Sequence, residues 1–477
     1  MIALGYKKEP ITRYFRTPAR SDYFELDGED VTRFREKPVD GDGLINRAFF
    51  ILEPGVLEHM EADTTSWKRG PWNGWPPISS SQSIVTPRSG NEWIRSGISS
   101  CSRNSGPRAR LPGKHGSKRM RILVTGHHGY IGSILVELLS AAGHEVVGMD
   151  SQLYDECTFG EDIPSGISSL HRDVRELSCS DLEGIDAIAH LAGVCNDPLG
   201  DLLPQTTFDI NHTATVRLAD LAKASGIHRF VFSSSCSVYG AAGQEWIDER
   251  SEVNPITPYA ASKWNAECDL RRLAGSHFSP VFLRSATAYG FSPRIRFDLV
   301  LNNLTAHAFT SGKVLLKSDG MPWRPIVHIE DISRAFLAAI EAPIDVVHNE
   351  VFNVGITTEN YRIREIAQIV EETVPGSCVE YAAGAGPDTR TYRVDCSKIS
   401  HLLPNFKPQW TAHRGARELY EKYCQYGLLL EDFEGARYQR LAYLQSLIAR
   451  GVIDGDLRWI VPISRAETST AQSIRIG

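Results

Sequence analysis

The sequence has no C-x-x-C pair and no cluster of histidine with cysteine; its nine cysteines are scattered. That excludes a zinc ribbon and reads as reduced thiols rather than a disulfide frame. No apolar run approaches the roughly 20 residues needed to cross a bilayer. The opening stretch MIALGYKKEPITRYF lacks a secretory apolar core. A cytoplasmic location with no membrane partner is therefore expected. There is no excess of positive charge either: the formal net charge is −7, which gives no reason to expect nucleic acid. Acidic metal-binding motifs are missing, so no metal site is expected.

What is there falls into zones of unlike composition. At 477 residues the chain has room for two or three domains. Residues 1–70 carry short strand-like pieces such as YFELDG and INRAFFILEPGVL, too irregular to promise an independent core. Residues 71–118 are rich in Ser, Arg, Gly and Pro without apolar periodicity, and read as a disordered linker. From Met120 onward, apolar strand-like runs alternate with amphipathic helical runs. That alternation predicts an α/β fold of Rossmann type, a doubly wound parallel sheet with helices on both faces. A sheet domain over 119–290, a smaller substrate-binding α/β lobe over 291–425 and a helical extension and tail over 426–477 are expected.

RILVT at 121–125 is apolar and β-branched, as a strand buried on both faces should be. GHHGYIG follows with Gly126, Gly129 and Gly132, and then Ile131, Ile134, Leu135, Leu138 and Leu139 form a helical stripe. Gly143 stands where a helix C-cap is expected. Glycines between strand and helix let a pyrophosphate rest on backbone N–H groups at the positive end of the helix, although a plain tight turn uses the same residues. The next strand, EVVGMD, ends in Asp150. An acid there can accept both ribose hydroxyls and repel a 2′-phosphate, which favours NAD over NADP; an aspartate that merely caps a turn is the alternative. Asp173 in HRDV could meet the adenine edge, and DAIAHLAGV supplies a fourth strand with a small-residue turn.

RFVFSSSCSVYG is a strand tipped with serines, and TPYAASKWNAE opens a helix at Thr257 and Pro258. Tyr259 and Lys263 are four apart and share one helical face. A phenol with an ordinary pKa near 10 is a poor base at neutral pH. A neighbouring ammonium, together with a nicotinamide cation, would favour the phenolate. Ser235 could hydrogen-bond the same substrate oxygen.

Taken together, TGHHGYIG, HLAGV, FSSSCSVYG, YAASK and VHIEDI resemble the extended short-chain dehydrogenase/reductase family, and within it the nucleotide-sugar epimerases and dehydratases, over residues 120–425. The resemblance implies a catalytic triad of Ser235, Tyr259 and Lys263. It implies an NAD site at Gly126, Gly129, Tyr130, Ile131, Gly132, Asp150, Asp173, Val174, Leu191, Ala192, Tyr259 and Lys263, with Asn211 ordering the proton-relay region. It implies a nucleotide-diphosphate sugar held by Asn303, Arg324 and Asp388, and a homodimer formed through helices near 208–224 and 259–275. Family dehydratases carry Asp-Glu before Val-Tyr-Gly, where this chain has Cys236 and Ser237. Epimerisation through a transient 4-keto sugar is therefore expected, with a keto-sugar reductase or a dehydratase of the same family, or an NAD-binding protein without turnover, as alternatives. Thr287 stands where an asparagine is usual, and Ala385 where an arginine often grips ribose, with Arg390 as a candidate to compensate; Arg294 and Arg296 are additional candidates for phosphate contacts.

Residues 20–70 resemble an internal piece of glucose-1-phosphate cytidylyltransferase, with Glu36, Lys37 and Asn46 at sugar-phosphate positions. The glycine-rich loop and metal-binding aspartates of that family are missing, so no transferase activity is expected. The linker can be back-translated in a shifted frame to resemble the end of the same family. On that reading, the natural epimerase-like protein begins at Met120.

Overall fold

The computed structural model describes residues 119–460 except 161, 162, 164, 165, 196, 241–244 and 387–390, and side chains at 383–386 are likewise left aside. Before residue 119 it describes only backbone strands. Ile11–Arg13 pairs antiparallel with Phe50–Leu52, and Asp22–Asp27 pairs with Asp30–Glu36 and Leu44–Ile45. The linker and the remaining cytidylyltransferase-like positions lie outside the described residues.

The region after 119 is built on a seven-stranded, wholly parallel sheet. Its strands are β1 (Arg121–Thr125), β2 (Glu145–Asp150), β3 (Ser168–His171), β4 (Ala187–His190), β5 (Arg229–Ser235), β6 (Ser279–Ser285) and β7 (Val351–Val354). They lie side by side in the order 3-2-1-4-5-6-7. The Rossmann-type doubly wound sheet expected from the sequence is what forms.

Side chains alternate across the strands, so each strand feeds two cores. Leu123, Ile188, Phe230, Phe232 and Phe282 face one side, where α2 (Ala214–Ala224) and α3 (Pro258–Leu273) pack through Leu218, Ala222, Ala266 and Leu270. Ile122, Val124, Ala189, Val231 and Leu283 face the other, against α1 (Gly132–Ala141) and α4 (Ile329–Glu341) through Leu135, Leu139, Ile332 and Phe336. Strands covered on both faces need continuous apolar runs, which is why RILVT and RFVF read as they do. Beside the large sheet lie short ones. Thr287–Tyr289, Trp323–His328 and Asn360–Arg362 form one, and Lys313–Ser318 pairs with Cys378–Gly386.

Helix ends obey local chemistry. Thr257 caps α3 by accepting from the Ala260 N–H, with Pro258 at the first helical position. Gly143, at φ +89°, closes α1 just beyond its last turn.

One buried ion pair ties α3 to the sheet. Arg284 donates to both carboxylate oxygens of Glu267 at 2.9 and 2.7 Å, and both residues are almost wholly buried. The Ser234 hydroxyl donates to the same carboxylate, and Arg284 also donates to the Tyr239 hydroxyl at 3.0 Å. Tyr239 in turn donates to Asn353 on β7. Arg284→Met should strand the Glu267 charge and cost about 3–5 kcal/mol. Denaturant unfolding of the variant against the parent checks this; a loss below about 1 kcal/mol would show that the pair carries little.

Candidate active site

The strand order reverses between β1 and β4, so the chain departs in opposite directions and a crevice opens beyond their carboxyl ends. A cleft of about 1110 Å³ occupies it. That exceeds the roughly 300–1,000 Å³ of a single small-molecule site, giving room for a dinucleotide and a second ligand.

The glycine turn forms one wall and tolerates no side chains. Gly126 sits at φ +76°, and a Cβ on it would lie 2.8 Å from the Ala192 nitrogen. A Cβ on Gly132 would lie 2.1 Å from the Gly126 carbonyl oxygen. The bare backbone thus lets β1, the start of α1 and the loop after β4 close on one another. Gly129, Ile131, Val174, Leu191 and Ala192 line the cleft as expected. Tyr130 also lines it, but its hydroxyl turns into the core, donating to the Gly290 carbonyl at 2.7 Å.

Asp150 lies at the tip of β2 and on the cleft wall. Its two oxygens accept from the His128 and Gln152 N–H groups at 3.1 and 2.8 Å, which fixes the carboxylate while leaving lone pairs for ribose hydroxyls. A glycine cradle that a Cβ would fill, followed by a fixed acid, suits NAD and opposes a 2′-phosphate.

Two of the expected cofactor residues also make close contacts within the protein. Asp173 lines the cleft, and its carboxylate is fixed by the Arg175 guanidinium at 2.9 and 2.6 Å. Asn211 is fully buried behind the wall. It sits in a single π-helical turn, Asp209–Thr213, which re-aims its side chain. The amide clamps the Val194 backbone, accepting at 2.7 Å and donating at 2.8 Å, and donates to Ser262 on α3. It shapes the wall without facing the cleft.

Ser235, Tyr259 and Lys263 all line the same cleft. Ser235 ends β5, and its hydroxyl, which accepts from the Ser237 N–H at 3.1 Å, also favours the ionised form of Tyr259. The Lys263 ammonium donates to the Ser233 carbonyl at 2.9 Å and stands 4.8 Å over the Phe232 ring. The phenol, however, is not made acidic by these residues alone. Burial pushes Tyr259 well above its ordinary value, with Cys195 and Asp197 adding to the rise, while the Ser235 hydrogen bond and Arg296 oppose it. In the bare cleft, desolvation of the phenolate outweighs what lowers it; the expected lowering requires the nicotinamide cation as well as Lys263. Burial also pulls Lys263 down to about 8.

Asn303 and Arg324 line the cleft. The Asn303 amide donates to the Phe297 carbonyl, and Arg324 donates to the Trp323 carbonyl. Thr287 lines the cleft too. Asp388 and Arg390 lie outside the described residues. Arg294 is no phosphate contact: it is buried and spent on the His128 and Asp155 carbonyls, the Thr158 hydroxyl and the Asp155 carboxylate. Arg296 does reach the cleft, fixed on Asp298, with its Nη1 3.2 Å from the Cys195 sulfur. Cys195, Asp197, Arg440 and Leu457 also line it. No motif marked them, and the last two come from the far end of the chain.

The Lys263 environment has a measurable consequence. A buried ammonium whose folded pKa is about 8, against an ordinary 10.5, burdens the folded state while it is charged. That cost is present below about pH 8 and fades as the pH rises toward 10.5, where the unfolded chain also loses its proton. In cofactor-free protein, Lys263→Met should be more stable than the parent by up to about 3 kcal/mol at pH 7, with the gap shrinking by pH 10. Denaturant melts at both pH values check the sign; a gap that widens with pH would contradict it.

Comparisons with known proteins bear on this geometry. The family described as "NAD dependent epimerase/dehydratase family" matches residues 122–355. The chain is 31% identical over 320 residues to a UDP-glucose 4-epimerase of Mycolicibacterium smegmatis, covering 63% of this chain and 98% of that one. It is 28% identical over 390 residues to UDP-glucuronic acid decarboxylase 1 of Arabidopsis thaliana, covering 78% and 82%. The crystal structure of DesIV, a dTDP-glucose 4,6-dehydratase of Streptomyces venezuelae with NAD bound, superposes with a TM-score of 0.57 at 25% identity, covering 66% of this chain and all of that one. Glycine turn, sheet order and sequence likeness agree, and the chain belongs to the NAD dependent epimerase/dehydratase family.

Proposed function

We propose that the protein is an NAD-dependent epimerase of a nucleotide-diphosphate sugar, inverting a hydroxyl-bearing carbon through a transient 4-keto sugar. The observation that carries this reading is the shared wall formed by Ser235, Tyr259 and Lys263, together with the fate of the neighbouring position 236. Cys236 is 1% exposed, turned from the cleft, and its thiol donates to the Arg284 carbonyl. Burial raises that thiol far above its ordinary value. It cannot serve as the acid of an elimination, and Ser237 beside it carries no acidic proton in the useful range.

NAD, when bound, supplies the acceptor and donor of hydride. The protein's own part is to move a proton and hold the sugar. Tyr259 takes the proton of the reacting hydroxyl, and Ser235 holds the same oxygen. Because burial keeps the phenol protonated in the bare cleft, Tyr259 needs positive charge beside it, from the cofactor and from Lys263. The Lys263 ammonium is anchored on Ser233 for that purpose. Asp150 sets the cofactor type, and Arg324 and Asn303 are placed to meet the diphosphate, where a forked cation suits two oxygens.

Incubation with UDP-, CDP-, GDP- and dTDP-hexoses, followed by NMR of the sugar, tests the reaction: a C4 epimer is expected from at least one, and loss of water from the sugar would instead indicate a dehydratase. Tyr259→Phe should lower kcat by about 10²–10⁴-fold with KM little changed. Gly132→Ala should abolish NAD binding, read by calorimetry, because its Cβ would collide with the Gly126 carbonyl. Unchanged binding would remove the glycine turn from the cofactor site.

A further inference from the structure

The C-terminal segment beyond the matched family region reaches back to the cleft. Helix α5 (Arg440–Ala449) and the turn that follows pack on the loop after β2. The Arg440 guanidinium lies 3.8 Å from the centre of the Tyr154 ring, and both residues line the cleft. Arg437 donates to the Glu156 carbonyl at 2.6 Å, and the Trp459 indole N–H donates to the Ser151 carbonyl at 2.8 Å, one residue past Asp150.

Leu457 is the centre of this contact. It lines the cleft, is 1% exposed and adopts φ +59°, a left-handed backbone that a leucine rarely takes. Such a conformation persists only where the surroundings over-determine it. They do so here. The Asp454 carboxylate accepts from the Asp456 and Arg458 N–H groups at 2.9 and 2.8 Å, which closes the turn. Arg175 donates to the Asp456 carbonyl at 2.8 Å, and Arg458 pairs with Glu176 at 2.9 Å. Arg175 is the residue that also holds Asp173. One chain of contacts therefore runs from the cleft wall at Asp173 through Arg175 to the backbone beside Leu457.

We infer that residues 440–460 complete the dinucleotide site, with Leu457 and Arg440 covering its adenosine end and controlling how slowly NAD leaves. This rests on the reading of the cleft as an NAD site, with Asp150 and Asp173 marking the adenosine end. Slow release matches the proposed reaction, in which the same cofactor must give back what it takes before it departs. An apolar side chain closing on a flat base removes water from its face, and a guanidinium stacked on Tyr154 roofs the neighbouring ribose.

The test compares full-length parent protein with Leu457→Asn and Arg458→Ala. Asparagine tolerates the left-handed backbone, so the first variant removes the apolar cover and keeps the turn. Arg458 is part-exposed, so the second loosens an anchor without threatening the core. Each protein is loaded with NAD and passed into nucleotide-free buffer, and bound NAD is followed by chromatography of the denatured protein over time. Both variants should release NAD at least tenfold faster than the parent; the cofactor-free melting temperature should be unchanged for Arg458→Ala and lower for Leu457→Asn, whose side chain replaces a buried leucine. Release at the parental rate would overturn the inference. Faster release by Arg458→Ala accompanied by a large fall in its cofactor-free melting temperature would also overturn it, by showing a purely structural segment. Failure of the parent itself to bind NAD would instead sink the reading of the cleft.

Discussion

The structure depends on one close approach, that of the glycine turn after β1 to the small-residue loop after β4. Gly126 has no room for a Cβ against Ala192, and Gly132 none against Gly126. The crevice at the switch point exists because those two loops touch through backbone alone. Behind them a buried chain of hydrogen bonds keeps the contact in register. The Thr125 hydroxyl accepts from the Leu191 and Ala192 N–H groups and bonds His190 at 2.7 Å. His190 reaches Thr215 at 2.8 Å, and Thr215 donates to the Asn211 carbonyl. Burial pulls His190 down to about 3, so it bridges as a neutral ring, donor on one side and acceptor on the other. Turn, loop and π-helical Asn211 are thereby coupled as one polar unit beneath the cleft floor.

The opposite wall is organised by a second buried network. Glu267 on α3 and Arg284 on β6 fix the helix that carries Tyr259 and Lys263 against the strand that carries Ser235. Catalytic groups mounted on a strand tip and a helix face are held more tightly than loop residues would be. That division explains the electrostatics. The rigid, dry wall desolvates both the phenol and the ammonium, so neither is poised by the protein alone. Charge brought into the cleft by ligands must complete the balance.

Much of this was legible in the sequence because the relevant contacts are local or periodic. RILVT followed by spaced glycines is a strand, a turn and a helix start, and Asp150 falls at the next strand end. Thr257-Pro258 announces a helix, and the four-residue spacing puts Tyr259 and Lys263 on one face. What the sequence hid was set by tertiary packing. Nothing local shows that Arg294 would be spent on carbonyls, or that Asn211 would clamp a backbone rather than face a ligand. Helical spacing reveals the cation beside Tyr259 but not the depth of burial, which raises the phenol in the bare cleft. Arg440 and Leu457 carried no signal at all, being separated from the glycine turn by most of the fold.

The central claim is that the crevice beside Asp150 is a site for NAD. Calorimetric titration of cofactor-stripped protein with NAD and with NADP tests it most directly. One site per chain is expected, binding NAD more tightly than NADP, because the fixed Asp150 carboxylate opposes a 2′-phosphate. Equal or tighter binding of NADP, or no binding of either dinucleotide, would contradict it.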